Sequence, residues 1–211
     1  MKYLSFFILL FIGELSVSAQ HMFSRQFPFF NQLSSNEIFS IHQDREGYFW
    51  IGTTNGLARY DGYQLNTFRT DYKNQNLLTD NGITAINDND LYVWIGTWKG
   101  LNLYNKQTCR ITPFPDARLL DKVVDAITVD KDGNVWVSAG GMIYRCDSTA
   151  HIIKEYEVGN IQEGYAISNI YVDQQKQLWA VGSRGIFRYE PETDSFFRYP
   201  PLGNGHTAYI M

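Results

Sequence analysis

The chain is poor in the residues that usually announce chemistry. Its 211 residues hold two cysteines, four histidines and six prolines. Cys109 and Cys146 are isolated, and nothing in their placement argues for a bridge, so both are expected as thiols, most simply as small apolar core residues. His21, His42, His151 and His206 are scattered, and no pair has metal-ligand spacing. There is no Gly-x-Ser-x-Gly, no phosphate loop and no local Cys–His partnership. No metal or other cofactor is implied, and the chain reads as a non-enzyme. A site assembled from distant segments would leave no local motif, so these absences weigh against catalysis without eliminating it. The formal net charge is only −4 and the basic residues stand singly, which argues against a nucleic-acid groove.

Long apolar runs are also missing, with one exception at the start. Residues 1–19 carry a lone Lys2, an apolar stretch from Tyr3 to Ile12, and Val17-Ser18-Ala19 before Gln20. That is the layout of a cleaved secretory signal peptide. A membrane-spanning helix needs about 20 apolar residues, and Glu14 interrupts the run too early. The expected product is exported, with no membrane contact by the remaining segment.

What the chain has in abundance is aromatics, at 16%, and glycine, at 17 residues. They recur in order. Ile41–Gly62 (IHQDREGYFWIGTTNGLARYDG) is echoed by Ile86–Tyr104, Ile127–Tyr144 and Ile170–Tyr189. Trp50, Trp94, Trp136 and Trp179 are spaced 44, 42 and 43 residues apart. A fixed period of this size marks a repeat architecture whose units must stack to bury their apolar faces. Each copy reads as a run, an Asp-containing turn, a Trp-centred run, a Gly-containing turn and a run ending in Tyr. That predicts an all-β chain of four-stranded antiparallel propeller blades.

Within the first copy the strands are expected near Ile38–Gln43, Tyr48–Thr53, Leu57–Tyr60 and Gln64–Arg69. The blades should cover about 33–70, 78–115, 119–158 and 162–200, as one array from 33 to 211. Residues 202–211 repeat the frame of Leu33–Ile41 and predict the first strand of a fifth blade, so the propeller is expected to be incomplete. Residues 20–32 precede the array. Phe23–Phe30 reads either as a strand awaiting a distant partner or as a loose arm.

Asp44 to Gly47 and Asp130 to Gly133 predict hairpin turns, with Asp bonding the backbone and Gly supplying positive φ. The fourth copy lacks that glycine. The tryptophans are assigned to packing between blades. Gly52 and Gly96, two residues after their Trp, and Gly182, three residues after Trp179, stand where a side chain would meet the neighbouring blade; the third copy has Ser138 in the place of Gly52 and Gly96.

The repeats resemble the two-component regulator propeller repeats that form periplasmic sensors of hybrid two-component systems in gut Bacteroidetes. The matching residues are Leu33, Ile41, Asp44, Gly47, Trp50, Ile51, Gly52 and Thr53, then Gly56, Leu57, Tyr60, Asp61 and Gly62. The second copy keeps Trp94-Ile95-Gly96-Thr97 and Gly100-Leu101 but shortens the Asp–Gly turn. The resemblance implies the N-terminal part of a periplasmic sensor. Such a sensor detects an oligosaccharide and signals to a histidine kinase that controls polysaccharide use through transcription. Its partners would be the remaining blades and the kinase of a parent protein held in the inner membrane, with a homodimer possible. The alternative is a free-standing secreted propeller, either a protein-binding scaffold or a lyase- or hydrolase-like enzyme, or else a truncated gene remnant.

If the propeller binds a ligand, the turns between second and third strands are the place to look. Those turns are Thr53-Thr54-Asn55, Thr97-Trp98-Lys99, Ala139-Gly140 and Ser183-Arg184. Trp98 is the outlier, a large aromatic where its counterparts are small or polar. The candidate ligand-binding residues are Trp98, Lys99, Arg184 and Asn55, an aromatic platform edged with groups suited to a sugar or an acidic sugar. The competing reading has Trp98 folded over its own blade.

Overall fold

The alternation of apolar runs with Asp- and Gly-bearing turns produces sixteen strands in a computed structural model that describes residues 29–71, 77–158, 167–183 and 185–199. The first sheet comprises β1 (Ile38–Gln43), β2 (Phe49–Thr53), β3 (Gly56–Tyr60) and β4 (Leu65–Phe68). The second holds β5 (Ile83–Asp88), β6 (Tyr92–Thr97), β7 (Gly100–Asn105) and β8 (Arg110–Pro113). The third runs through β9 (Val124–Val129), β10 (Val135–Ala139), β11 (Met142–Cys146) and β12 (Ile152–Glu157). The fourth contains β13 (Ile167–Val172), β14 (Leu178–Gly182), β15 (Gly185–Glu190) and β16 (Ser195–Arg198). Every sheet is an antiparallel meander in chain order. Their first strands β1, β5, β9 and β13 lie side by side in that order, and among the described residues the series does not close into a ring. Four propeller blades in an open arc are therefore present. The expected fifth-blade strand at 202–211 lies outside the described residues, as does 23–28. Phe30 itself opens a short 3-10 turn, Phe30–Gln32, so the predicted strand does not extend to it.

The repeated tryptophan explains the stacking. Ile86 and Ile83 of the second sheet pack in one cluster with Trp50 of the first. Val124 and Ile127 join Trp94, and Ile167 and Ile170 join Trp136. The residues of each first strand thus cover the Trp of the preceding sheet. Trp50, Trp94 and Trp136 are fully buried, whereas Ile41, with no described sheet before it, is 64% exposed. Trp179, at the other end of the arc, is half-buried against Tyr199. The glycine two residues on lets the sheets approach. A Cβ at Gly52 would sit 2.7 Å from Ile83 Cγ2, and one at Gly96 would sit 2.6 Å from Val124 Cγ1. Ser138 fills the same place differently, its hydroxyl donating to the Ile167 carbonyl at 3.0 Å.

The aspartate turns do more than reverse the chain. Asp44 Oδ1 accepts from the backbone N–H of Glu46 and Tyr48, and Oδ2 accepts from Trp50 Nε1 at 2.6 Å. Asp130 and Asp173 repeat this latch, taking Trp136 Nε1 and Trp179 Nε1 at 2.8 Å each. Gly47 and Gly133 supply the positive φ, and in the fourth sheet Lys176 adopts it at +65°. Cys146 is buried as expected, but Cys109 is exposed, because it falls in the turn between β7 and β8 rather than on a strand; both are free thiols.

Candidate functional site

The turns between second and third strands are shaped by buried threonines. Thr97 Oγ1 donates to the Gly100 carbonyl at 2.8 Å and accepts from Lys99 N–H, and Thr53 plays the same part for Gly56 and Asn55. Trp98 and Lys99 form the tip of the second of these turns. The Trp98 N–H donates to the Gly82 carbonyl at 3.1 Å. Its indole lies directly on Gly82, where an added Cβ would be 2.3 Å from Cε3. The ring is therefore held over its own sheet, yet it remains 44% exposed. Trp98 is thus folded over its own sheet on one face and open to solvent on the other.

The other candidates are placed less favourably. Lys99 is exposed, with Nζ 3.6 Å from Asp80 Oδ2. Asn55 is committed to its own sheet, its Nδ2 donating to the Ser34 carbonyl at 3.2 Å and its carbonyl accepting from Arg69 Nε at 3.0 Å. Arg184 lies outside the described residues. The partner that Trp98 does meet is Phe39 of β1, edge to face at a centroid distance of 6.2 Å and 64°. Phe39 is 56% exposed. Reading the turns alone missed it, because it lies on a first strand of the preceding sheet.

Phe39 belongs to a repeated irregularity. The pairing register of every first strand slips at one place: between Ile38 and Ser40, between Ile83 and Ala85, between Val124 and Ala126, and between Ile167 and Asn169. The bulged residues are Phe39, Thr84, Asp125 and Ser168. Each stands two positions before the repeat's isoleucine, and the four copies carry four different residue types there. A bulge leaves its residue out of the ladder and re-aims the side chain. Phe39 reaches across to Trp98 of the second sheet, and Thr84 Oγ1 donates to the Val124 carbonyl of the third. Ser168 turns back to the Val181 carbonyl of its own sheet. Asp125 is solvent-reachable, but the surrounding protein desolvates its carboxyl enough to push it up to about 6.

On the opposite ends of the same strands lies a second polar cluster. Asp88, 5% exposed, accepts from His42 Nε2 and Lys106 Nζ at 2.7 Å each, and from the Arg45 N–H at 3.3 Å. Burial pushes the Asp88 carboxyl up, but the hydrogen bonds from His42 and Lys106 outweigh it and hold it at about 2. The cluster ties the first sheet to the second. Among the described residues no group of three or more His, Cys, Asp or Glu side chains could hold a metal ion.

Residues 32–55 match the family model described as two component regulator propeller. No curated protein matches the chain. Among solved structures, the chain is similar to the extracellular domain of the hybrid two component system BT3049 from B. thetaiotaomicron. The identity is 22% and the TM-score 0.65, over 82% of this chain and 25% of that one. The corresponding domain of BT4673 gives 20% identity and a TM-score of 0.60, over 73% and 21%. Virginiamycin B lyase from Staphylococcus aureus gives 18% and 0.61, over 80% and 57%. The chain thus spans about a fifth to a quarter of the extracellular domains it resembles. At these identities the likeness shows the fold: four blades of a β-propeller, carrying in residues 32–55 the sequence signature of the two component regulator propeller.

Proposed function

We propose that the chain is the N-terminal part of an exported sensor propeller that recognises an oligosaccharide. Recognition is relayed to a two-component histidine kinase controlling polysaccharide use. The observation that carries this reading is the match of residues 32–55 to the regulator propeller, joined to the anchored and half-exposed Trp98. A rigid indole with one open face suits the apolar face of a sugar ring. Residues 1–19 would serve as the signal peptide that delivers the chain to the periplasm. Among the described residues no helix is long and apolar enough to cross a membrane. The test is calorimetry of the chain, and of its longest natural form, against a panel of oligosaccharides, with Trp98→Ala alongside. Heat that saturates in the parent and is lost in the folded variant supports the reading; no binding to any glycan refutes it.

A catalytic reading has one observation in its favour, the similar likeness to virginiamycin B lyase. Turnover of a streptogramin B by the purified chain would establish it.

A further inference from the structure

The four first-strand bulges are a device that the packing of the sheets does not need. In the second, third and fourth sheets inter-blade burial is carried by the residues on either side of the bulge: Ile83 and Ile86, Val124 and Ile127, Ile167 and Ile170 are all buried. The bulged residue between them contributes little to it. Phe39, Asp125 and Ser168 are exposed and Thr84 is half-buried. A bulge placed identically in four sheets, at the strand end nearest the second turns, presents four side chains in a row along the inner strands. Bulges of this kind are over-represented where a side chain must be re-aimed beside a site.

The row is continuous with Trp98. The indole rests on Gly82, two residues before the bulged Thr84, and meets Phe39 at its edge. Thr84 in turn donates to the carbonyl of Val124, the residue before Asp125. Phe39, Trp98, Thr84 and Asp125 therefore follow one another across three sheets. The sequence of chemistries is two exposed aromatic rings, a hydroxyl and one carboxylate. Among the four bulge side chains Asp125 carries the only charge, and it is negative.

From this arrangement we infer that Phe39, Trp98 and Asp125 form a single subsite for a neutral sugar ring. The apolar face of the ring rests on the Trp98 indole, Phe39 closes one side, and Asp125 accepts hydrogen bonds from the ring's hydroxyls. The inference rests on the oligosaccharide reading and sharpens it. A platform edged by Lys99 and Arg184 would favour uronic acids, whereas Asp125 repels them. A carboxylate accepting from hydroxyls makes charge-assisted bonds, stronger than neutral ones. The indole is already seated on Gly82 with Phe39 at its edge, so part of the ordering precedes binding.

The experiment is a calorimetric comparison of neutral oligosaccharides with otherwise matched uronic-acid-containing ones, using the full chain. The variants are Asp125→Asn, Phe39→Ala and, on the distant Asp130–Gly133 turn, Lys131→Ala. Circular dichroism checks each fold. The expected result is tighter binding of neutral glycans by roughly tenfold or more, a loss of similar size in Asp125→Asn and in Phe39→Ala, and no change in Lys131→Ala. Asp125→Asn should also narrow the gap between neutral and acidic ligands. Glycan binding that survives intact in both Asp125→Asn and Phe39→Ala, or that favours the uronic acids, overturns the subsite while leaving sugar recognition in place. Absence of any glycan binding by the parent chain overturns both.

Discussion

The indole nitrogen of Trp94 is buried without a hydrogen-bond partner among the described residues, because Asn89 stands where the other three sheets have an aspartate. The turn in this sheet is one residue shorter. Asn89 Oδ1 caps the backbone N–H of Leu91 and Tyr92, as the aspartates do in their own turns, but its Nδ2 donates to the Ser148 carbonyl of the next sheet at 3.1 Å. One sheet has exchanged a latch onto its own tryptophan for a tie to its neighbour.

Trp94→Phe and Trp136→Phe should therefore differ. Both remove buried ring atoms, but only the second leaves the partly buried Asp130 carboxylate short of a donor. The penalty for Trp136→Phe should exceed that for Trp94→Phe by on the order of 1–2 kcal/mol. Trp136→Ala should cost ~3–5 kcal/mol, since it also opens a cavity between sheets. Urea unfolding of the three variants gives the comparison directly; equal penalties for the two Phe variants would remove the latch from the stability argument.

The Asp88 cluster predicts a particular acid limb. Asp88 is held at about 2 in the folded state, below its ordinary value of 3.8. A depressed folded value means stability that is present above the ordinary value and is lost as pH falls through the folded one. The window is thus about pH 4 down to pH 2, with a contribution on the order of 2 kcal/mol. Asp88→Asn should flatten the wild-type loss of stability across that window. Asp88→Ala should destabilise at neutral pH by roughly 3–5 kcal/mol, because Lys106, only 6% exposed, would be left buried and unpaired. Thermal melts from pH 5 to pH 2 for the three proteins decide it.

Lys176 occupies the turn position that Gly47 and Gly133 hold in the first and third sheets, at a φ of +65°. A side chain costs free energy in that region, and it has no place in the sheet stacking here, because Lys176 is exposed. Lys176→Gly should raise stability by about 0.5–1 kcal/mol, the relief of strain being partly offset by greater freedom of the unfolded chain. A lower unfolding midpoint in the glycine variant would contradict this.

The period of the chain made the four-bladed fold legible. An Ile, an Asp turn, a Trp and a Gly at fixed spacing left little choice of register, and β1 spans the same residues as the first expected strand. The tryptophans were legible as packing residues for the same reason, since a side chain that large repeated in every unit must be buried in most of them. The candidate site was only half legible. Trp98 stood out against its column of small residues, but its neighbour Phe39 comes from another sheet, and that proximity exists only after the blades stack. The bulge column at Phe39, Thr84, Asp125 and Ser168 did not stand out in the sequence. What marks it as special is the slip in register, which is a property of backbone pairing and leaves no residue signature.

The contact between Gly82 and Trp98 gives the sharpest test of how the platform is built. Gly82 does not use the left-handed region, so alanine can adopt its backbone without strain. The cost of Gly82→Ala arises from the new methyl alone, which would meet the indole at 2.3 Å from Cε3. The ring must then lift from its seat, at ~1–3 kcal/mol. Trp98→Ala removes the obstacle, so the double variant Gly82→Ala/Trp98→Ala should be little less stable than Trp98→Ala alone. The cycle should return a coupling of about 1–3 kcal/mol between the two sites. A displaced indole should also change its fluorescence, and on the oligosaccharide reading Gly82→Ala should weaken glycan binding nearly as much as Trp98→Ala. Additive stabilities would mean that the indole is not seated on Gly82. Coupled stabilities with unchanged glycan affinity would mean that the seat is real and the platform is not where the sugar lies.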